Sequence, residues 1–231
     1  MSRSKKIRTK STEPGPARHV RRLRQIRQEV AAEAARIIAT EGQHNYHAAK
    51  KKAAERIGIS ERLALPSNIE VKDALRRYQD LYGGAEHTDN LEFLRQTAIV
   101  AMRLLEKFNP RLVGAVLDGT ANSHSRIALH VFSDSSESVV LYFLENGTPF
   151  SQEQRQIRWH DGTHRTLPLI VFELEGAVVK LTLFAPVHLR QAPPRPIDGR
   201  PQRRANLSET ECLLAESLAP AMGLEPANST R

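Results

Sequence analysis

The chain of 231 residues has one cysteine, Cys212, one tryptophan, Trp159, and only 5 % aromatic residues. A single thiol excludes an intramolecular disulfide and argues against a structural zinc site of the usual cysteine type. Long apolar runs are missing too. The stretch Val139-Val140-Leu141-Tyr142-Phe143-Leu144 is among the longest, at six residues. A membrane-spanning helix needs about 20. The N-terminal residues contain no apolar signal segment, and the first 19 show no amphipathic periodicity of the transit-peptide kind. These absences predict a soluble cytoplasmic protein with no membrane partner. Nine histidines are scattered without acidic or cysteine company, so no metal site is expected.

Charge is present in excess but unevenly. The formal net charge is +8, from 34 Lys+Arg and 26 Asp+Glu. Residues 1–27 hold ten of those bases and one acid, a net of +9, which leaves residues 28–231 at −1. The body is thus nearly neutral, and the overall basicity is no argument about its site. Residues 1–16, closed by Pro14-Gly15-Pro16, read as a disordered basic tail. Such a tail either holds an anionic polymer by counterion release or merely solubilises. A smaller cluster, Arg190, Arg195, Arg200, Arg203 and Arg204, falls in a Pro-rich stretch.

Hydrophobic periodicity divides the rest. Val20, Leu23, Ile26, Val30, Ala34, Ile37 and Ile38 recur at helical spacing, predicting a helix over 17–41. Further helices are expected from Tyr46 to Ile57, stopped by Gly58, and from Ser67, where Ser67 and Glu70 have capping-box spacing. Gly83-Gly84 marks a break. A fourth helix is expected from near Asp89 to Phe108. The pattern then changes. Leu112–Leu117 and the alternating Ile127, Leu129 and Val131 read as strands, and Ser135–Glu145 as a helix. Strands are expected over 154–160, 166–174 and 177–185, the last two joined at Glu175-Gly176, and a final helix from Leu207 to Met222. The fold class is α+β. A helical domain over 17–83 precedes a small mixed β-sheet domain over 89–189 flanked by helices, and 190–231 forms a basic Pro-rich segment with a C-terminal helix.

The stretch Gly114-Ala115-Val116-Leu117-Asp118-Gly119-Thr120-Ala121-Asn122-Ser123-His124-Ser125-Arg126-Ile127-Ala128-Leu129 spans strand, loop and strand. It resembles the signature of the polymerase-beta type nucleotidyltransferases in minimal form. Gly114 and Ala115 match the family's Gly-Ser pair, Gly119 its second glycine and Ser125 its serine. The resemblance covers about 90–190 and implies that family's mixed sheet. It also implies where metal-binding carboxylates should stand, and here those positions hold Arg126, Ala128 and Lys180. Cations would repel magnesium there. A pseudoenzyme is expected, acting as a nucleotide- or anion-binding or regulatory protein of a bacterial type, with no cofactor. Gly114, Gly119, Thr120, Ser125, Arg126, His130 and Lys180 are its candidate site. The alternative for Arg126 and His130 is a solvated strand face.

Two other readings stay open. An active transferase would need magnesium on unaligned acids such as Asp118 and Glu173. A nucleic-acid-binding protein would use the tail with Arg21, Arg22, Arg24, Lys50, Lys51 and Lys52. Residues 31–60 resemble the opening of a helix-turn-helix of the tetracycline-repressor kind, through Ala54 and Gly58-Ile59-Ser60. However, Pro66 leaves no room for a recognition helix of ordinary length.

Overall fold

The computed structural model describes residues 16–43, 45–59, 65–195 and 198–218. The basic tail, His44, Ser60 and the segment around Met222 lie outside them. The described residues form seven α-helices and one five-stranded mixed sheet, with a group of helices ahead of the sheet.

Three helices make the first unit: α1 (Pro16–Glu41), α2 (Tyr46–Ile57) and α3 (Asn68–Tyr82). The α2 limits follow from its caps. The Asn45 side chain accepts from the backbone of His47 at 2.9 Å, and Gly58 takes the left-handed conformation at φ 73°. The Ser67–Glu70 capping box forms as its spacing predicts. Val30, Ala34, Ile37, Ala49, Ala53, Val71 and Leu75 fill the core between the three helices.

Helix α4 (Gly84–Leu104) begins five residues before the expected start. Its first turn is largely exposed, so no apolar periodicity marked it. It also ends earlier, giving way to a 3₁₀ turn at Glu106–Phe108. Strand β1 (Arg111–Val113) is shorter than the expected 112–117 run. Gly114, at φ 78° and ψ −151°, diverts the chain into a single helical turn, α5 (Ala115–Asp118). Then come β2 (Ile127–Phe132), α6 (Ser136–Glu145), β3 (Phe150–Arg158), β4 (His164–Leu174), β5 (Ala177–Phe184) and α7 (Leu207–Leu218). Glu175 and Gly176, both at positive φ, close the β4–β5 hairpin in two residues, as a type I′ turn does.

The sheet order is β1-β2-β5-β4-β3, and only β2 and β5 run parallel. Residues paired in register share a face. Leu129, Val131, Leu181, Leu183 and Ile170 therefore face one way. They pack on Ala98 and Met102 of α4, Val139 and Phe143 of α6, and Leu207 and Leu213 of α7. The other face carries Ala128, His130, Lys180 and Thr182. The chain returns across this side as a strap whose described residues are 190–195 and 198–206. Ala205 exchanges backbone hydrogen bonds of 2.8 and 2.9 Å with Leu112 on the outer edge of β1.

The helical unit grips the loop between α5 and β2. Buried Gln79 donates from Nε2 to the Thr120 carbonyl at 3.2 Å, Asn122 donates to the Ile38 carbonyl at 2.9 Å, and Lys72 pairs with Asp118 at 2.7 Å.

Replacing Ser67 by Ala removes the side-chain half of the capping box. It is expected to lower unfolding free energy by about 1 kcal/mol in urea titration, with the slope unchanged.

Candidate anion-binding cleft

Between the helical unit and the strap, a cleft opens on the side of Gly114. It has two adjoining lobes. The first, of about 680 Å³, is walled by Asn45 and Tyr46 from α2 and its cap, Asn68 at the start of α3, Gly114, and Arg203 of the strap. The second, of about 760 Å³, lies between the strap and the end of the β3–β4 ribbon, beside Arg158, Trp159 and His160. Arg155, Arg195 and Gln202 line both lobes, so the two form one trough. Each lobe has the size of a small-molecule site.

The acids of the trough are already engaged. Asp118 is held by Lys72 at 2.7 Å. Asp161 accepts from the Thr163 hydroxyl at 2.6 Å and pairs with Arg165 at 3.5 Å, and these contacts, Thr163 first, lower its pKa. Asp198, outside the lining, pairs with Arg195, whose Nε donates at 3.0 Å. Among the described residues, Arg155, Arg158 and Arg203 have no carboxylate at ion-pair distance. Desolvation holds the Arg155 guanidinium below its ordinary pKa, with no acid to offset it. An anion entering the trough would restore what Arg155 loses to desolvation.

Polar groups beyond the arginines also face the space. Asn68 lines the first lobe, and its Oδ1 is buried without a hydrogen-bond partner. The Tyr46 hydroxyl has a raised pKa, first from desolvation and then from Asp118, so it is a neutral hydrogen-bonding group at neutral pH.

The candidate residues read from the sequence scatter. Gly114 lines the first lobe. Gly119 closes α5 in the left-handed conformation at φ 74°. Thr120 is buried, with its carbonyl turned to Gln79, and Ser125 bonds Asn122 at 2.9 Å. These three build the joint under the cleft and do not line it. Lys180 stands beside Ala128 in register, with Glu153 at 3.7 Å. Arg126 is exposed, one residue before β2.

His130 departs most from expectation, both as an anion-binding cation and as part of a solvated strand face. It is 0 % exposed. Arg204 Nε donates to its Nδ1 at 3.0 Å, which places the ring proton on Nε2. Burial first, then the charges of Arg204 and Arg155, push its pKa well below the usual value. His130 is therefore a neutral acceptor that anchors the strap. Arg204 also donates to the His188 carbonyl at 2.7 Å and lies over the Phe132 and Phe184 rings at 5.0 and 5.2 Å. Desolvation, and secondarily Arg111, lower its own pKa to about 10, so it stays cationic at neutral pH.

The alternative nucleic-acid set is only partly free. Arg21, Arg22 and Arg24 are exposed on α1, whereas Lys51, exposed on α2, has a partner of its own. Lys50 donates to the Pro66 carbonyl at 3.1 Å, and Lys52 pairs with Glu41 at 2.6 Å. Asp118 and Glu173, the acids of the active-enzyme alternative, do not meet in the cleft, which Asp118 alone lines. Among the described residues, no three His, Cys, Asp or Glu side chains gather as metal ligands would.

The cleft residues that sequence reading missed include Asn45, Asn68, Arg155, Arg158 and Gln202. Arg155 sits in a polar run on an exposed strand, with no local signal. The only hint of this wall was the cluster of arginines in the Pro-rich stretch.

Compared with known proteins, the chain matches no family model and no curated protein.

The buried neutral His130 sets a pH dependence. Its folded pKa lies below the unfolded value of about 6.5. Its contribution is present above that pH and is lost as pH falls toward the folded pKa, since the unfolded chain takes up a proton that the native one refuses. Stability should fall below about pH 6.5 by up to ~1.4 kcal/mol per pH unit from this group. Histidine NMR should show a resonance that stays in its neutral form well below about pH 6.5, absent in His130→Gln.

Proposed function

We propose that the protein is a non-catalytic binding protein built on a nucleotidyltransferase-like sheet, and that its cleft holds a phosphate-bearing ligand without a divalent metal. One observation carries this reading. Ala128 and Lys180 are register partners on parallel strands, on the sheet face that helices α4, α6 and α7 leave uncovered. The resembled family keeps its metal-binding acids at these positions. Ala128 also lies closest to Gly114, 3.8 Å from where a Cβ on that glycine would stand. A methyl group and an ammonium cannot hold magnesium against a triphosphate. Protein cations must then neutralise the phosphate directly, and Arg155 and Arg203, which have no carboxylate partner, stand at the cleft to do so.

This assignment shifts the anion site from Arg126, His130 and Lys180 to the strap and β3. An exposed free thiol at Cys212 suits a reducing compartment such as a cytoplasm. No helix among the described residues is long and apolar enough to cross a membrane.

Titration of the full chain with nucleoside triphosphates in EDTA tests the proposal. Binding is expected without magnesium, and Arg203→Ala should weaken it about tenfold, the order of one lost charge-assisted hydrogen bond. No binding of any nucleotide, binding that depends on magnesium, or magnesium-dependent nucleotide transfer would each overturn the reading.

A further inference from the structure

The two-lobed trough exceeds what one nucleotide needs. Its lobes, about 680 and 760 Å³, meet at Arg155, Arg195 and Gln202. Each is large enough for a small ligand of its own. Free arginines are spaced along it, with Arg203 in the first lobe, Arg155 at the junction and Arg158 in the second. A line of unpaired guanidiniums suits a ligand whose negative charges repeat along its length.

The side chains between those arginines narrow the choice of polyanion. Asn68 brings a side-chain amide to the first lobe. Phosphates and carboxylates offer only acceptors, whereas nucleobases carry exocyclic amines. Asn45 and Gln202 add further amides along the wall, and Tyr46 adds a half-buried ring in the first lobe. Amides that read base edges, an aromatic ring and arginines that meet phosphates are the chemistry of single-strand recognition. An acidic peptide would satisfy the arginines and its backbone would meet the amides, but it would offer Tyr46 no base to stack on.

Resting on the proposed phosphate site, we propose that the trough binds a single-stranded oligonucleotide, with at least one nucleotide in each lobe. The first lobe takes a base against Asn68 and Tyr46. Arg155 and Arg203 hold the phosphates near the junction. Arg158 meets the next phosphate in the lobe under the β3–β4 ribbon. Linking the two occupants makes the second contact intramolecular, so affinity should rise steeply from one nucleotide to two and more.

Fluorescence anisotropy with labelled single-stranded RNA of one, two, four and eight nucleotides, in EDTA at fixed salt, tests this. The tetranucleotide is expected to bind at least about tenfold more tightly than the mononucleotide. Arg203→Ala should weaken both ligands. Arg158→Ala, in the second lobe only, should weaken the tetranucleotide and leave the mononucleotide unchanged. Far-UV circular dichroism would show that both variants keep their helices. Equal affinity for one and four nucleotides, with Arg158→Ala silent, overturns the two-lobe proposal and leaves the phosphate site standing. Absence of binding by any of the lengths overturns both. Competition by polyglutamate as effective as by unlabelled tetranucleotide assigns the trough to acidic peptides and overturns the proposal.

Discussion

The clasp of the helical unit on the loop after β1 is the constraint on which the rest depends. Lys72 and Asp118, both largely withdrawn from solvent, meet at 2.7 Å. Removing either partner would leave the other charge poorly solvated, so the pair holds its two elements together more firmly than a surface pair would. Buried Gln79 and Asn122 add neutral hydrogen bonds to backbone carbonyls at 3.2 and 2.9 Å on either side of the interface. Through this clasp the N-termini of α2 and α3 come to lie opposite Gly114. Without it the first lobe would lack the wall that carries Asn45, Tyr46 and Asn68.

The electrostatics follow from how the acids are used. The body of the chain is close to neutral, so a cationic cleft cannot arise from composition. It arises from pairing. Lys72, Thr163 with Arg165, and Arg195 occupy Asp118, Asp161 and Asp198. What remains along the trough is the charge of Arg155, Arg158 and Arg203. Arginine keeps its proton even where desolvation lowers its pKa, as at Arg155, so the charge these arginines bring is insensitive to ordinary changes of pH. A histidine-based site, which the sequence suggested through His130, would have titrated near neutrality.

Local signals were legible where one short segment decides the outcome. The end of α2 follows from Gly58, the α3 start from Ser67 and Glu70, and the β4–β5 hairpin from Glu175-Gly176. The α+β class followed from the change of hydrophobic period after Phe108. Elements with solvated flanks escaped, because exposure erases periodicity. The first turn of α4 and the front half of β3 are such cases, both largely exposed. The cleft was least legible. Its walls come from α2, the start of α3, the β1–α5 turn, β3 and the strap, and no spacing within one segment encodes their meeting. Of the seven candidates drawn from the Gly114 motif and β5, only Gly114 faces it.

His130 shows how one distant contact reverses a local reading. On β2 it alternates with apolar neighbours, so a period of two places it on the opposite face, which reads as solvent. Arg204, 74 residues later, covers that face and uses His130 as an acceptor. The cost is a histidine Nε2 and an Arg204 Nη2 buried without partners. What offsets it is the strap. Arg204 fixes the end of the strap, over 198–206, against Phe132 and Phe184, and the adjoining Ala205 seals the edge of β1. Arg203 and Gln202 precede these anchors directly and are thereby held at the cleft. The neutral histidine thus acts at one remove: by remaining uncharged it lets one arginine bind inward, and the arginine just before it stays free to meet an anion.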